Sequence, residues 1–591
     1  MNISVRRIQQ MCKDGDFSGA VKQGHAWLIP DDNIDGKNSD QKKPLPVGIT
    51  DFRLVVNDYY YVDKTLMIRD FLNERPMVSL FTRPRRFGKT LNMDMLRTFF
   101  EQTSEDTSFY FKDKKIWQCG EKYTCYQGKY PVIFLIFKDV KYGTWDETLL
   151  AVRKLISLEY SRHSELEDSL SLNVYEKEQY RRIACENADD IDYQMGLQIL
   201  SQLLHKHYGE KCVIIIDEYD TPIQQGHICG FYAETLHFMR NFFSGGLKDN
   251  PHLAFGFLTG ILRVVKESIF SGLNNLKIYS ILDEKYSEYF GFTREEVKEI
   301  LSYYGKEEKY DEVSEWYDGY RFGNTEIFNP WSVINYVTDN CFPKAFWQST
   351  GSNDAIGEII AEATPEIKEN LYNLLCGKKV MAFIDTGVIY PEISNNPYSI
   401  YSFLLVAGYL KVMDVYPQND GNFLCNVAIP NKEIQFVYKK EILNRTHQNN
   451  MAVMISQTVF SEDTEKLQSV LEKFMLQSIS SLDGANEGFY HGMMLGLCAV
   501  VGDRYQIRSN RESGSGRFDL ELKPCVKGIP GFLFEFKYTK DEHANLDVLA
   551  EKALLQIEEK KYDTEMINSG VLSIRKIGIA FRGKSASLKR A

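Results

Sequence analysis

The sequence lacks the marks of several protein classes. Its 11 cysteines include no C-x-x-C pair, and none joins a histidine cluster. A zinc site or a disulfide framework is therefore not expected, and a reducing, cytoplasmic setting is. The opening residues, Met1-Asn2-Ile3-Ser4-Val5-Arg6-Arg7, carry no apolar segment of a secretory signal. The most apolar later run, Met493 to Val501, is about half the length that a membrane span needs. It reads as a core helix, and no membrane partner is expected. A basic excess is missing too. The net charge of −11 excludes a chain that coats nucleic acid along its whole surface. Any such contact must be local, in a groove or through a metal.

What is present is enough apolar sequence for several folded units. Hydrophobic residues make up 43% and charged residues 26%, the balance of a soluble globular protein. The 591 residues allow about three or four domains. Residues 1–44 are polar and read as an N-terminal extension, with a short helical piece within Met1 to Leu28 and a linker after it. Residues 45–284 read as an α/β domain, 285–450 as a helical, winged-helix-like middle region, and 451–591 as a last α/β unit.

The first domain is organised around Phe81-Thr82-Arg83-Pro84-Arg85-Arg86-Phe87-Gly88-Lys89-Thr90. A β-prone segment from Val78 runs into a turn that ends in Gly-Lys-Thr, and an amphipathic helix follows from Leu91 to Glu101. Strand, loop, Gly-Lys-Thr and helix make a phosphate-binding loop. Gly88 lets the backbone approach phosphate oxygens. The helix N-terminus offers free N–H groups and a positive dipole end. Lys89 suits the β- and γ-phosphates of ATP, and the Thr90 hydroxyl suits Mg²⁺. One element is missing: the general pattern places a glycine five residues before Gly88, where this chain has Arg83. Arg83, Arg85 and Arg86 either add cationic phosphate contacts or meet a neighbouring subunit or nucleic acid.

Three continuous apolar runs support a buried, mainly parallel sheet: Pro131–Phe137, Lys211–Ile216 and Leu253–Leu258. Ligands of such sheets lie beyond the strand C-termini, where Lys89, Asp217 and Thr259 fall. Asp217 suits Mg²⁺ coordination through water, and the next residue, Glu218, suits polarising an attacking water. Arg263 reads either as a trans-acting finger or γ-phosphate sensor, which needs a homo-oligomer in the first case, or as a surface salt bridge. Tyr59 to Asp63 reads as a strand that leads into a helix from Leu66 to Leu72. Leu404 to Val415 reads as the start of a small wing, and Ser461 as the N-cap of a helix from Glu462 to Ser480.

A second constellation lies near the C-terminus, in Gly514 to Leu522 and Gly531 to Lys537. Each half reads as a strand of one hairpin. Glu535 and Lys537 are two residues apart and share a face, while Phe534 and Phe536 point to the core. Asp519 stands on the partner strand. Two carboxylates can hold one or two Mg²⁺ ions, or Mn²⁺, and Lys537 can orient a water or stabilise a pentacovalent phosphate. A cross-strand surface pair is the plainer reading of the same residues. Glu487 and His491, four apart on the preceding helix, can complete the metal or water network. Gln556, on the helix after the hairpin, can also face the site.

Taken together, these motifs resemble the bacterial AAA-like ATPase family fused to a C-terminal PD-(D/E)XK nuclease domain. The carrying residues are Tyr61–Thr65, Arg83–Thr90, Ile216–Pro222, Trp316–Gly323, Phe489–Gly492, Gly516–Asp519 and Glu535–Lys537. The resemblance covers about 45 to 582 and leaves residues 1–44 outside. It implies an AAA-like P-loop sheet and a restriction-endonuclease-like C-terminal fold. It implies that Arg83 belongs to the family's own loop, and that Asp519, Glu535 and Lys537 form the nuclease-like triad. The expected activity is ATP-dependent action on nucleic acid, DNA rather than RNA, in genome defence or mobile-element biology. The alternative is a nucleotide-dependent switch whose nuclease-like domain binds without cutting.

Overall fold

The computed structural model describes residues 21–23, 26–28, 42–263, 275–347, 364–375, 377–389, 391, 396, 398–418, 423–445, 463–478, 487–498, 505–513, 516–525 and 529–591. The first domain is built on five strands: β1 (Val78–Thr82), β2 (Val132–Ile136), β3 (Cys212–Asp217), β4 (Leu253–Gly260) and β5 (Leu276–Tyr279). They lie in the order β2-β3-β4-β1-β5, and every neighbouring pair is parallel. The sequence dictates this. β1 and β3 are buried at every residue, so both faces must be covered, and a run of β-branched residues satisfies that without alternation. Helices α1 (Lys89–Phe100), α2 (Trp145–Arg162), α3 (Gly196–Tyr208), α4 (Thr221–Cys229) and α5 (Tyr232–Leu247) are among those of the domain. Because β4 separates β1 from β3, their C-terminal ends stand one strand apart. A crevice for ligand forms at such a point.

Tyr59 to Asp63 is not a strand; it is irregular backbone after the helix Phe52–Asp58. Polar side chains take the place of ladder bonds there. Asp63 accepts from the Thr65 N–H at 2.9 Å and the Lys115 N–H at 2.7 Å. The neighbouring Lys64 ammonium is buried and donates to Glu296 at 2.6 Å and to the Glu288 carbonyl at 2.6 Å. The helical piece expected within Met1 to Leu28 is also corrected where residues are described. Val21–Gln23 and Ala26–Leu28 pair as antiparallel strands, the preference of Val21 and Trp27. The rest of that helical reading, and the linker through residue 41, lie outside the described residues.

The middle region contains helices α6 (Arg294–Tyr304) and α7 (Pro330–Thr338), with the hairpin β6 (Tyr320–Phe322) and β7 (Thr325–Ile327) between them. Further on come β8 (Val380–Ile384), α8 (Ser399–Val406), β9 (Lys411–Pro417), β10 (Phe423–Ala428) and α9 (Lys432–Arg445). Strands β8, β10 and β9 form an antiparallel sheet in that order. The apolar stretch from Leu404 to Val415 is therefore two elements. Helix α8 ends at Val406, Gly408 turns the chain at φ +90°, and β9 starts at Lys411.

The C-terminal unit has helices α10 (Thr464–Ser478), α11 (Glu487–Cys498) and α12 (Leu546–Glu559). Its sheet runs β11 (Tyr505–Ser513), β12 (Gly516–Pro524), β13 (Gly531–Tyr538), β14 (Ile574–Arg582) and β15 (Ser585–Arg590) in order. Only β13 and β14 pair in parallel, with α12 in the crossover. The expected helix core of Met493 to Val501 is the second half of α11, and residues 499–501 lie outside the described residues, as does Ser461. Leu520, Leu522, Phe534 and Phe536 fill a core separate from the one around the first sheet.

Candidate functional site

The phosphate loop leaves β1 and enters α1 at Gly88, whose φ of +81° suits a glycine. Arg83, at the position of the missing glycine, does not face the crevice. Its side chain is fully buried and donates to the Thr82 carbonyl at 2.9 Å and the Tyr279 carbonyl at 2.8 Å. Its guanidinium also lies over the Phe290 and Phe322 rings, 5.1 and 5.2 Å from their centres. Burial pulls its pKa down to about 9. Even its backbone N–H is taken, by the Gly260 carbonyl at 3.1 Å. The expectation that Arg83 adds a phosphate contact is thus corrected: its charge serves the packing of β5 and two aromatic rings.

The other loop side chains have protein partners, while the Arg85 charge still reaches Lys89 and the Glu218 charge reaches Arg86. Arg85 reaches Gln224 of α4 at 3.1 Å, and Arg86 stacks on Trp331 at 4.0 Å. Phe87 is buried against Tyr320 and Phe322. Lys89 remains in the loop itself. Its ammonium is nearly buried and donates to the Arg83 and Pro84 carbonyls at 3.1 and 3.0 Å. Burial lowers its pKa, opposed by the nearby Glu218, Asp217 and Asp220 carboxylates.

Asp217 ends β3 with its side chain fully buried. Thr90 donates to it at 2.5 Å, the Glu218 N–H at 3.1 Å, and Thr259 of β4 also donates to it. Burial raises its pKa, and the adjacent Glu218 adds to that. Thr90 at the start of α1 and Asp217 at the end of β3 are thus brought together, an arrangement that a shared Mg²⁺ would use. Glu218 takes a left-handed turn at φ +52°, which separates its direction from that of Asp217. Asp220, part of the Ile216–Pro222 motif but given no role there, accepts from the Ile261 and Leu262 N–H groups at 2.8 and 2.9 Å and ties this turn to the end of β4. Lys141, after β2, lies within electrostatic reach of Glu218 and Arg85; no sequence signal marked it. Arg263 is the last described residue before 264, with a buried Nε that has no partner among the described residues.

In the C-terminal sheet, β12 and β13 pair regularly from Leu522↔Phe532 to Leu520↔Phe534. At the next position the ladder opens. Asp519 uses a side-chain oxygen to accept the Phe536 N–H at 2.7 Å. Glu535 is 3% exposed; one of its oxygens accepts from Gln556 and, at 3.5 Å, from Lys537. Its other oxygen is buried with no partner among the described residues. Burial raises the Glu535 pKa to about 7, and the nearby Asp519 charge adds to the rise. Burial also raises the Asp519 pKa, opposed by the Phe536 N–H, His491 and Lys537. Lys537 donates to the Gln556 amide oxygen at 2.7 Å. Gln556 also donates to the Tyr562 hydroxyl at 3.2 Å, a residue that the sequence reading did not single out.

Two helix residues fall differently. His491 lies 2.8 Å from the Asp519 carbonyl and 3.2 Å from the Ser509 hydroxyl, so it braces β12. Glu487 is exposed in the first turn of α11 and acts on Asp519 only through its charge. Among the described residues no three His, Cys, Asp or Glu side chains cluster as metal ligands. Glu487, expected to complete the metal or water network, stands near enough for its charge to raise the Asp519 pKa. What does converge is Asp519, Glu535, Lys537 and Gln556. Two oxygen donors, one of them orphaned in the interior, fit a hard divalent cation.

Two stretches of the chain are similar to known families. Residues 46–270 match the family described as "Predicted AAA-ATPase", and residues 485–591 match the PD-(D/E)XK nuclease superfamily. The chain is also 24% identical over 563 residues to an uncharacterized protein from the vnfD 5′ region of Azotobacter chroococcum mcd 1, covering 93% of this chain and 98% of that protein. Among the described residues no helix is long and apolar enough to cross a membrane.

Proposed function

We propose that this chain binds and hydrolyses ATP at the Lys89–Asp217 site and uses that cycle to control a nuclease-like site that acts on nucleic acid. DNA is favoured over RNA, and the setting is cytoplasmic defence or mobile-element biology. The observation that carries the nuclease reading is Glu535: a buried carboxylate with one oxygen unpartnered, beside Asp519 and Lys537. Such a group is costly unless a ligand completes it. Asp519 and Glu535 would hold Mg²⁺, or Mn²⁺, which supplies charge to a phosphodiester and lowers the pKa of a water. Lys537 is placed to orient that water, and Gln556 fixes the ammonium and Glu535 together. At the other site, Thr90 and Asp217 would share Mg²⁺, Lys89 would meet the phosphates, and Glu218 would orient the attacking water. Arg263, in a second copy of the chain, would act as a trans finger.

A second reading has support in one observation. Lys537 and Glu535 are already bridged to one another by Gln556. A domain of that kind binds nucleic acid without cutting it, under nucleotide control. Incubation of the full chain with plasmid DNA and Mg²⁺ or Mn²⁺, with and without ATP, separates the two. Nicking by the wild type that disappears in Asp519→Ala and Lys537→Ala supports catalysis. Equal nicking by all three proteins sinks the catalytic assignment, and plasmid binding without nicking supports the second reading.

A further inference from the structure

Arg86 sits at φ +70° two residues before Gly88. Left-handed backbone is free for glycine and unfavourable for arginine, so it persists where the surroundings impose it. Here the surroundings come from the middle region. The Arg86 guanidinium stacks 4.0 Å from the centre of the Trp331 ring, an attraction that grows as water is excluded. The preceding carbonyl, of Arg85, accepts a long bond of 3.5 Å from the Trp347 indole N–H. The following side chain, Phe87, is buried against the hairpin of β6 and β7. The loop is therefore restrained on both sides of its strained residue.

One buried acid aligns both tryptophans. Glu433 of α9 is 0% exposed and accepts the Trp347 backbone N–H at 2.8 Å and the Ser332 hydroxyl at 2.7 Å. Ser332 follows Trp331 in α7. The Trp331 indole N–H in turn donates to the Phe346 carbonyl at 3.2 Å, which joins the two tryptophan segments.

We propose that Trp331 and Trp347, aligned by Glu433, are positioning residues for the phosphate loop: they hold Arg85 and Arg86 so that the loop keeps the left-handed turn that receives a nucleotide. The inference rests on the nucleotide reading given above. It makes the middle region a determinant of nucleotide affinity without any contact to the nucleotide.

The test measures ATP affinity of the full chain by calorimetry, with the thermal midpoint followed in parallel. Trp331→Ala is expected to weaken ATP binding about tenfold, and Trp331→Phe, which keeps an aromatic face, to restore most of it. Glycine accepts the turn without help, so in an Arg86→Gly background the Trp331→Ala change is expected to cost nothing further. Wild-type affinity in a folded Trp331→Ala protein overturns the proposal. So does an equal loss in the Arg86→Gly background, because the tryptophan then acts by another route. Lys89→Ala separates the premise from the inference. If it keeps full ATP affinity, the nucleotide reading fails and the inference falls with it; if it alone loses ATP, only the positioning role fails.

Discussion

Lys89, Thr90 and Asp217 all bond to protein partners, whereas Glu535 keeps one buried oxygen without any among the described residues. The two sites thus store charge in different ways. In the first, the loop, the start of α1 and the ends of β3 and β4 each contribute part of a closed network, and the loop is clasped from the middle region. In the second, two adjacent strands open their ladder and one helix residue, Gln556, spans the gap. A closed network suits a site that must hold its shape through a cycle of binding and release. An orphaned acid suits a site whose missing partner is a cation.

The contrast can be broken most severely at Glu535. Glu535→Gln keeps the shape and removes the charge, so metal-dependent nicking should fall on the order of 10³-fold, read by plasmid relaxation, while ATP affinity moves less than about twofold. A smaller loss would mean that the orphaned oxygen is not the cation's ligand. Glu433 sharpens the same comparison, for burial also pushes its pKa to about 7, yet both its oxygens are bonded. A raised acid contributes stability that is fully present below its unfolded pKa and is lost as pH rises through the folded value. Tyr317 and Tyr320 lie within electrostatic reach of it, and burial pushes both upward, away from that window. Glu433→Gln should therefore gain on the wild type by up to about 3 kcal/mol at pH 8, a gain that shrinks towards pH 5, measured by urea unfolding across that range.

Gln556→Leu probes the bridge. It strips Lys537 and Glu535 of a shared partner, and nicking should drop about 10- to 100-fold with substrate binding retained, as a split between turnover and affinity. The smallest effect belongs to Gly88→Ala. No atom stands within 4 Å of the added Cβ, so the cost is that of φ +81° alone, about 1–2 kcal/mol in urea unfolding. A much larger loss would show that the loop is tighter than its packing implies.

Much of the first domain was legible because buried parallel strands need no alternation. Pro131–Phe137, Lys211–Ile216 and Leu253–Leu258 announce themselves as β2, β3 and β4 by continuous apolar sequence. Glu535 and Lys537 on one strand face were legible from period-two geometry, and their flanking phenylalanines are buried as expected. The destination of Arg83 was not legible, since its partner carbonyl, at Tyr279, lies 196 residues further on. Nor was the failure of Tyr59 to Asp63 to form a strand, because its β-prone residues meet a polar network that only the fold assembles. The i,i+4 spacing of Glu487 and His491 put both on one helix face correctly, but it could not say that His491 would spend its ring on a backbone carbonyl.

The Arg83 contact sets an order on the making of the protein. A guanidinium inside the apolar layer is tolerable only once the Tyr279 carbonyl and the Phe290 and Phe322 rings are there to receive it. During synthesis, a chain that has emerged only as far as α1 holds the whole phosphate loop but cannot bury its arginine. The groups that receive it come only with β5 and the first aromatic rings of the middle region. The native packing of the loop's first arginine therefore depends on sequence translated well after the loop itself.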